Sequence, residues 1–591
     1  MNPFSDDKHW LWLFRNGIDW DTIIPLYYPK FPTEDGIESK EELIQFFEEM
    51  LTATAEWAAT AVKDRAEALD RNGAGKIEDG RAIVGPELQA LYQEATELGV
   101  FSLCVPRALG GMAAPASLYM IVLDQLARYC MSSCTQIAFH ASISDMVHRF
   151  MPHEVAEKYV PMINQGQISG SMCLTEPGCG SDLGAIQSTA IPQEDGSYLL
   201  SGTKLFITNA GGGLHFTLAR VKGDKEGLDG LSMFFVKQDD ERKEGNNFTV
   251  VKNEEKTGMH GSFTCEVLYE NSVCDLVGEQ GEGFKLMLHL MNEARIAVGM
   301  QGLGGLEGAL EFAENYAAER SQFGKPISEL PLMNRNLNDL RVERDAMRAL
   351  MVDTTSLYDI FQLLDLKERE SNDLTKEESK LMKTTWKKVR KRTPLVKFYL
   401  CEQFVDFSKK TLQVYGGYGF MQEYPIERYY RDCLGPLLYE GTSQIQALMA
   451  LKDFVKSLFK EPKNFFEEIF QATWQSTPFN TSGDIEQSFG RVTAGFYKNV
   501  VGLLFGELRP DWNKIHVFKE WQRSEAIDDL MEHAETLTWA LSYIETLEVL
   551  KKHALKDKTQ AKLFWDYMEL VEPRLEGIYY DWKIRVQRES R

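Results

Sequence analysis

A change from helical to β-rich sequence pattern constrains the fold of this chain more than any other feature. Between about residues 170 and 277, short segments rich in branched and aromatic residues are separated by Gly, Asn and Asp. These segments span residues 198–200, 204–208, 216–221, 231–236 and 263–269. The pair Asp195-Gly196, just before the first of them, is typical of a tight turn. We therefore predict a compact, β-barrel-like domain inserted between helical ones.

Helical periodicity dominates on both sides of this region. Leu43, Phe47 and Met50 begin one series, and residues 296–316 carry apolar residues at steps of three and four. The polar residues 351–380 instead predict a loop or insertion. The predicted fold is mostly α with an inserted β domain. Its predicted domains are an N-terminal arm (1–36), an N-terminal helical domain (37–166), the β domain (167–280), a C-terminal helical bundle (281–458) and an extra C-terminal helical domain (459–591).

Charge and composition exclude several classes of protein. Acidic residues outnumber basic ones by 88 to 65, which gives a net charge of −23 and argues against a nucleic-acid partner. The cysteines and histidines show no metal-binding spacing, so we expect no metal site and a reducing compartment. The N-terminus is acidic where a signal peptide would be basic, and no apolar run approaches a membrane span. We expect a cytoplasmic protein, in a bacterium or an equivalent compartment.

Two motifs in the β region could bind a flat or phosphorylated ligand. The loop MCLTEPGCGSD, residues 172–182, offers free backbone N–H groups, and its glycines allow close backbone approach. The segment SGTKLFITNA, residues 201–210, places Phe206 and Thr208 on one face of a strand. There an aromatic ring and a hydroxyl can stack on a flat ring and donate to its edge. Taken alone, each motif is also explained by an ordinary glycine-rich turn or an ordinary strand.

Three further motifs complete an ordered set. They are YAAERSQFGKP at 316–326, QVYGGYGF at 413–420, and Arg431-Asp432 followed by LYEGTSQIQ at 438–446. In this order and at these distances the five motifs resemble the acyl-CoA dehydrogenase family, over about residues 40–455. The resemblance implies FAD as cofactor, an acyl-CoA substrate oxidised to the 2-enoyl-CoA, and an electron-transfer flavoprotein as acceptor. The region after the last motif resembles the larger members of the family.

The resemblance also implies roles for individual residues. Contacts with the flavin and its phosphates are implied for Met172, Leu174, Thr175, Ser181, Phe206 and Thr208. Contacts with the FAD of a neighbouring subunit are implied for Arg320, Gln322, Phe323, Gln413, Gly416 and Gly417, and contacts with the chain's own FAD for Thr442 and Gln444. Substrate contacts are implied for Ser181, Arg295, Tyr439 and Gly441. Shared FAD sites imply at least a homodimer. Many relatives have Trp in place of Phe206.

Glu440 is the expected base that removes the α-proton of the substrate. A carboxylate does this best when apolar surroundings raise its pKa, and Leu437-Leu438-Tyr439 precede it. Some family members place the base directly before the arginine that matches Arg295. This chain has Ala294 there, with Glu293 one residue, or about 100° of helix, further back.

The sequence leaves alternatives open for the electron acceptor and for the C-terminal tail. An acyl-CoA oxidase would use oxygen, and a non-catalytic scaffold would only bind FAD or CoA. In the tail, apolar residues keep helical spacing over residues 526–550, and residues 525–548 contain acids but no Lys or Arg. We therefore expect the tail to pack on protein rather than on an anionic membrane, and we expect a dimer.

Overall fold

The computed structural model describes residues 2–33, 35–371, 373–477, 483–507 and 525–589. Contacts divide this part of the chain into two compact units. Unit 1 comprises Met1–Asp7, Ile23–Phe312 and Ser408–Pro436, and unit 2 comprises Lys8–Thr22, Ala313–Phe407 and Leu437–Arg591.

Helices make up most of the described chain. The α-helices α1–α10 are Lys8–Trp12, Trp20–Tyr27, Lys40–Trp57, Lys63–Asn72, Pro86–Glu97, Ala116–Tyr129, Met131–Phe150, His153–Asn164, Gly283–Glu319 and Pro331–Ser371. The α-helices α11–α19 are Lys376–Tyr415, Ile426–Asp432, Leu434–Leu438, Ser443–Lys460, Pro462–Gln475, Asp484–Glu507, Glu525–Glu532, Ala534–Lys556 and Ala561–Glu589. The strands β1–β11 are Gly75–Glu78, Arg81–Val84, Ser169–Cys173, Thr189–Pro192, Tyr198–Thr208, Gly213–Val221, Leu231–Lys237, Thr249–Asn253, Thr264–Val277, Ser321–Gln322 and Lys325–Pro326.

The predicted β-barrel-like domain is confirmed and belongs to unit 1. Within the described residues, a sheet of seven strands has the order β3-β6-β4-β5-β9-β7, with β8 paired to β9. A further pairing of β6 with β7 closes the ring. Alternating residues of β6 and β7, among them Phe216, Met233 and Phe235, are almost fully buried and belong to one apolar core. Helices α7 and α8 contribute Ile143, Val160 and neighbouring apolar side chains to the same core.

The prediction of a loop over residues 351–380 is wrong. The segment forms the end of α10 and the start of α11. Tyr358, Phe361 and Leu364 recur every third residue and are buried. Phe361 stacks on Trp386 of α11 at a centroid distance of 4.4 Å. Near the helix ends, Lys367, Glu368 and Arg369 of α10 and Lys376 and Glu377 of α11 are exposed, where an amphipathic helix also places charged residues. Asp353 and Asp359 of the same segment are buried.

The C-terminal tail packs on other helices of its own chain, as predicted. Helix α18 contacts α10 and α14 within unit 2, and α19 contacts α10 and α18. Of the predicted apolar series, Leu530, Leu537, Leu541, Ile544 and Leu547 are buried, and the side chain of Ile527 lies outside the described residues. Among the described residues, no helix combines the length and apolar character needed to cross a bilayer.

An ionic cluster joins the tail to the long helices of unit 2. Arg392 of α11 bonds Asp353 of α10 at 2.5 Å and Glu545 of α18 at 2.9 Å, and all three side chains are buried. Lys552 of α18 also bonds Asp353, at 2.6 Å. Burial alone would raise the pKa of Glu545, but Lys391 and Arg392 lower it more, so its pKa lies below the usual range. The cluster therefore fixes α18 against both helices.

Candidate active site

The glycine-rich loop after β3 begins as a compact hairpin. Glu176 and Cys179 exchange two backbone hydrogen bonds, of 2.9 and 3.1 Å, across the intervening Pro177-Gly178. No described atom lies within 4 Å of the Cβ position of Gly178. The hairpin therefore presents its tip to open space, where a ligand can approach the backbone closely.

Of the residues of this segment that were predicted to contact a flavin, Leu174 and Thr175 are hydrogen-bonded to the second motif. Met172 and Leu174 are half-buried and pack against the apolar core of unit 1. The carbonyl oxygen of Thr175 accepts a hydrogen bond from the backbone N–H of Leu205 at 2.9 Å. Ser181, further along the loop, is exposed.

A buried ion pair anchors the loop to β5. Lys204 Nζ lies 2.8 Å from Glu176 Oε1, and both side chains are almost fully buried. The same Nζ donates to the carbonyl oxygens of Leu174 at 3.1 Å and Leu218 at 2.8 Å. Burial would raise the pKa of Glu176, but Lys204 and the hydrogen bonds from Ser188 lower it further than burial raises it. Neither Lys204 nor Glu176 was assigned a role from the sequence, although a lysine within a predicted barrel strand indicates a buried ion pair.

Phe206 and Thr208 end β5 at a β-bulge. The register of β5 against β9 shifts between Lys204 and Ile207. Phe206 has a φ of +61° and is 60% exposed, whereas Ile207 is buried in the barrel. Thr208 is half-buried. Because side chains alternate along a strand, the Phe206 ring and the Thr208 hydroxyl lie on the side opposite the buried Ile207. The positive φ of Phe206 is strained, and strain of this kind is found at ligand sites.

Other predicted residues of unit 1 lie on separate elements. Arg295 of α9 is buried, and its Nη1 donates to Asn292 Oδ1 at 3.2 Å. Gln413, at the end of α11, is exposed, as are Gly416 and Gly417 beyond it. No described atom lies within 4 Å of the Cβ position of either glycine, and Gly416 has a φ of +59°.

In unit 2, the segment with Arg320 forms an exposed hairpin. Strands β10 and β11 pair across Phe323 and Gly324, whose φ values are +53° and +81°. Two consecutive positive φ values match the type I′ turn of a two-residue hairpin. Arg320 and Gln322 are exposed, and the ring of Phe323 at the tip is 90% exposed.

Glu440, the predicted base, also lies in unit 2, in a turn between α13 and α14. It is half-buried and has a φ of +57°. Gly441 follows with a φ of +94°, a conformation that residues with a side chain rarely adopt, and its Cβ position lies 2.7 Å from Gln446 Nε2. Tyr439 is half-buried, whereas Leu438 is 64% exposed. An apolar side chain is thus presented two residues before the carboxylate.

The turn continues directly into the N-terminus of α14. Thr442 is the N-cap, and its Oγ1 accepts a hydrogen bond from the backbone N–H of Ile445 at 3.4 Å. Gln444 is exposed in the first turn. The N-terminus of an 18-residue helix favours an anion through its free N–H groups and its dipole, which suits a phosphate group.

Comparison with known proteins decides the family. Models of the acyl-CoA dehydrogenase N-terminal, middle and C-terminal domains match residues 47–167, 171–272 and 281–454. The chain belongs to the acyl-CoA dehydrogenase family. This confirms the resemblance predicted from the five motifs, and as a member of the family the chain is an FAD-dependent oxidoreductase.

Individual acyl-CoA dehydrogenases and related proteins agree with this assignment. The acyl-CoA dehydrogenase of Bacillus subtilis (strain 168) is 33% identical over 367 residues, which cover 61% of this chain and 88% of that protein. The caffeyl-CoA reductase-Etf complex subunit CarC of Acetobacterium woodii is 30% identical over 365 residues, with 61% and 88% covered. The crystal structure of an acyl-CoA dehydrogenase complexed with FAD from Bacillus anthracis has a TM-score of 0.75 at 22% identity. The superposition covers 92% of this chain and 89% of that chain, so the shared fold extends into the C-terminal tail.

The described residues fit the FAD of this family. Phe206 presents an exposed ring and Thr208, two residues further along the same strand, a half-buried hydroxyl, so that a flat ring system could stack on the first and accept a hydrogen bond from the second. Gly178, Gly416 and Gly417 leave open space where a side chain would otherwise stand. Backbone N–H groups at these places can approach phosphate oxygens closely.

Proposed function

We propose that this enzyme oxidises an acyl-CoA thioester to the 2-enoyl-CoA, with Glu440 as the base. The observation that carries the proposal is the turn at Glu440. A half-buried glutamate stands there in a left-handed conformation directly before a helix N-terminus. Strained backbone of this kind is retained where a functional group must be held in place. A glutamate that merely lay at the surface after a loop would not require a strained backbone conformation.

The chain offers residues for each part of FAD. We infer that the flavin end is held by Met172, Leu174, Thr175, Phe206 and Thr208, and the phosphates by Ser181, Thr442 and Gln444. We infer that the FAD of a partner subunit is held by Arg320, Gln322, Phe323, Gln413, Gly416 and Gly417. Bound flavin would supply the acceptor for the β-hydride. The guanidinium of Arg320 is suited to phosphate because its planar fork pairs with two oxygens.

The turn at Glu440 is proposed to carry out the remaining chemistry, which is removal of the α-proton. The α-proton of a thioester is weakly acidic, so its removal requires a carboxylate and a polarised carbonyl group. The Glu440 side chain provides the carboxylate, and its backbone N–H is the proposed donor to the thioester oxygen. Gly441 allows the thioester to approach closely because it has no side chain. Tyr439 and Arg295 are proposed to line the substrate site, and Ser181 to contact the CoA.

An electron-transfer flavoprotein is the proposed electron acceptor. Support comes from the relative whose name places it in a complex with Etf. The same chemistry with oxygen as acceptor would make the enzyme an oxidase. Because relatives are named both dehydrogenases and reductases, the direction of turnover needs its own measurement.

The test is anaerobic titration of the FAD-loaded protein with CoA thioesters of graded chain length. We expect at least one saturated thioester to bleach the visible flavin band, with the 2-enoyl-CoA detected by mass spectrometry. An electron-transfer flavoprotein should restore the band, whereas rapid recovery in air with hydrogen peroxide would identify an oxidase. Titration with 2-enoyl-CoA after chemical reduction measures the reverse direction. Failure of every thioester to bleach the flavin would contradict the proposal and support a binding scaffold.

A further inference from the structure

Two buried polar side chains hold the turn that carries Glu440. Lys397 of α11 and Gln446 of α14 are each 0% exposed. Lys397 Nζ donates to the carbonyl oxygens of Gly441 at 2.7 Å and Leu437 at 3.1 Å. Gln446 Nε2 donates to the carbonyl oxygens of Glu440 at 2.9 Å and Gly441 at 3.2 Å. The carbonyl groups of Glu440 and Gly441 thus both receive donors from side chains of unit 2.

A lysine at this position is not explained by packing. The surrounding residues of α11, from Leu395 to Cys401, are buried, and the position would accept an apolar side chain. Burying an ammonium group is strongly unfavourable unless its protons are all well bonded. A cation retained at such a cost, with its charge directed at the backbone of one turn, points to a role for that turn.

The turn needs such support because its backbone is strained. Glu440 and Gly441 have consecutive φ values of +57° and +94°. A left-handed conformation at a residue with a side chain is unfavourable and persists only when its surroundings fix it. Lys397 and Gln446 supply those surroundings, since together they bond the carbonyl groups of both residues.

We propose that Lys397 is a positioning residue for the Glu440 base, assisted by Gln446. This inference rests on the proposed function of Glu440. The same turn carries the carboxylate and the backbone N–H proposed to polarise the thioester. Loss of the Lys397 bonds should therefore slow removal of the α-proton while leaving the groups proposed to bind FAD in place.

The experiment compares three single variants of the FAD-loaded enzyme. Lys397→Met removes the ammonium at similar volume, Lys397→Arg retains a cationic donor, and Lys388→Met is a matched control because Lys388 is exposed on the same helix. Anaerobic rapid mixing measures flavin reduction by a thioester and by its α-deuterated form. For Lys397→Met we expect a limiting rate lower by about 10- to 100-fold, as for a catalytic group misplaced by about 1 Å. Its α-deuterium isotope effect should rise, and its FAD content should be unchanged.

The other variants separate positioning from a general role in folding. Lys388→Met should match the wild type, and Lys397→Arg should recover part of the rate. If Lys397→Met does not fold, Gln446→Met takes its place, with the same direction of change expected. A folded, FAD-loaded Lys397→Met or Gln446→Met enzyme with wild-type rate and isotope effect overturns the inference. Normal reduction in Glu440→Gln would instead contradict the proposed base, so the two failures are distinguishable.

Discussion

Two fully buried lysines, Lys204 in unit 1 and Lys397 in unit 2, bond the backbone of segments that carry candidate site residues. In unit 1 the lysine also pairs with a carboxylate, Glu176. In unit 2 the Lys397 ammonium donates to the carbonyl oxygens of Leu437 and Gly441. Removal of the Lys204 ammonium should therefore have different consequences from removal of the Lys397 ammonium.

Lys204→Met should destabilise unit 1 and weaken FAD binding together. The substitution leaves the Glu176 carboxylate buried without its counter-ion, which costs about 3–5 kcal/mol for pairs of this kind. It also removes the bond to the carbonyl oxygen of Leu174 in the proposed flavin loop. Denaturant unfolding and FAD titration of the apoprotein measure the two effects.

The double variant Lys204→Met/Glu176→Gln is the matched control, because it removes both charges. It should recover a substantial part of the lost stability but less of the FAD affinity, since the Leu174 bond remains absent. A Lys204→Met protein with wild-type stability and affinity would show that the pair has neither role.

At the scale of elements, the tail is fixed by helix packing and by the Arg392 cluster. The pKa values of Asp353 and Glu545 lie below their ordinary values of 3.8 and 4.5 despite burial, because Arg392 and lysines face them. A depressed pKa contributes stability that is fully present above the ordinary value and is lost as the pH falls below it. The attachment of α18 should therefore weaken in acid.

Thermal unfolding of the holoenzyme should shift to lower temperature as the pH falls through and below 3.8–4.5. Glu545→Gln removes one of the two carboxylates, so it should lower the stability at neutral pH and flatten the acid dependence. Circular dichroism over a pH series follows both. An unchanged slope in Glu545→Gln would exclude this residue as a source of the acid sensitivity.

The elements could be predicted where the signal is local. Alternation and turn residues indicated the β domain, and three- and four-residue steps indicated the long helix α9. The loop predicted over 351–380 failed because charged residues there masked the buried series through Tyr358, Phe361 and Leu364. The ring closure by β6 and β7, and the bonds from Lys397 to a turn about 40 residues away, depend on tertiary contacts that no local pattern specifies.

At the scale of the whole molecule, the proposal requires more than one chain. The hairpin with Arg320 and Phe323 and the segment with Gln413, Gly416 and Gly417 are exposed, and the family resemblance assigns both to the FAD of a neighbouring subunit. We propose a dimer. Light scattering of the intact protein should give the mass of two chains, and a mass near four would contradict the dimer.

Arg320→Ala should reduce FAD content and weaken self-association together, because the arginine is proposed to bond phosphate across subunits. Visible absorbance after gel filtration measures retained FAD, and sedimentation measures association. Arg335→Ala is a suitable control, since Arg335 is an exposed arginine of α10 outside the proposed site. Full retention of FAD by the Arg320→Ala dimer would refute the cross-subunit role.

Anaerobic flavin reduction in Glu440→Gln distinguishes a Glu440 that removes the α-proton from one that only lines the substrate site. The amide keeps the size of the side chain but cannot accept a proton, so FAD and thioester should still bind while the rate of reduction falls by about 10⁴-fold, the upper end of the range for a general base. Glu293→Gln, the substitution of the competing glutamate, should reduce its flavin at close to the wild-type rate. Rapid bleaching in Glu440→Gln, with loss of bleaching in Glu293→Gln, would contradict the account and assign the base to α9.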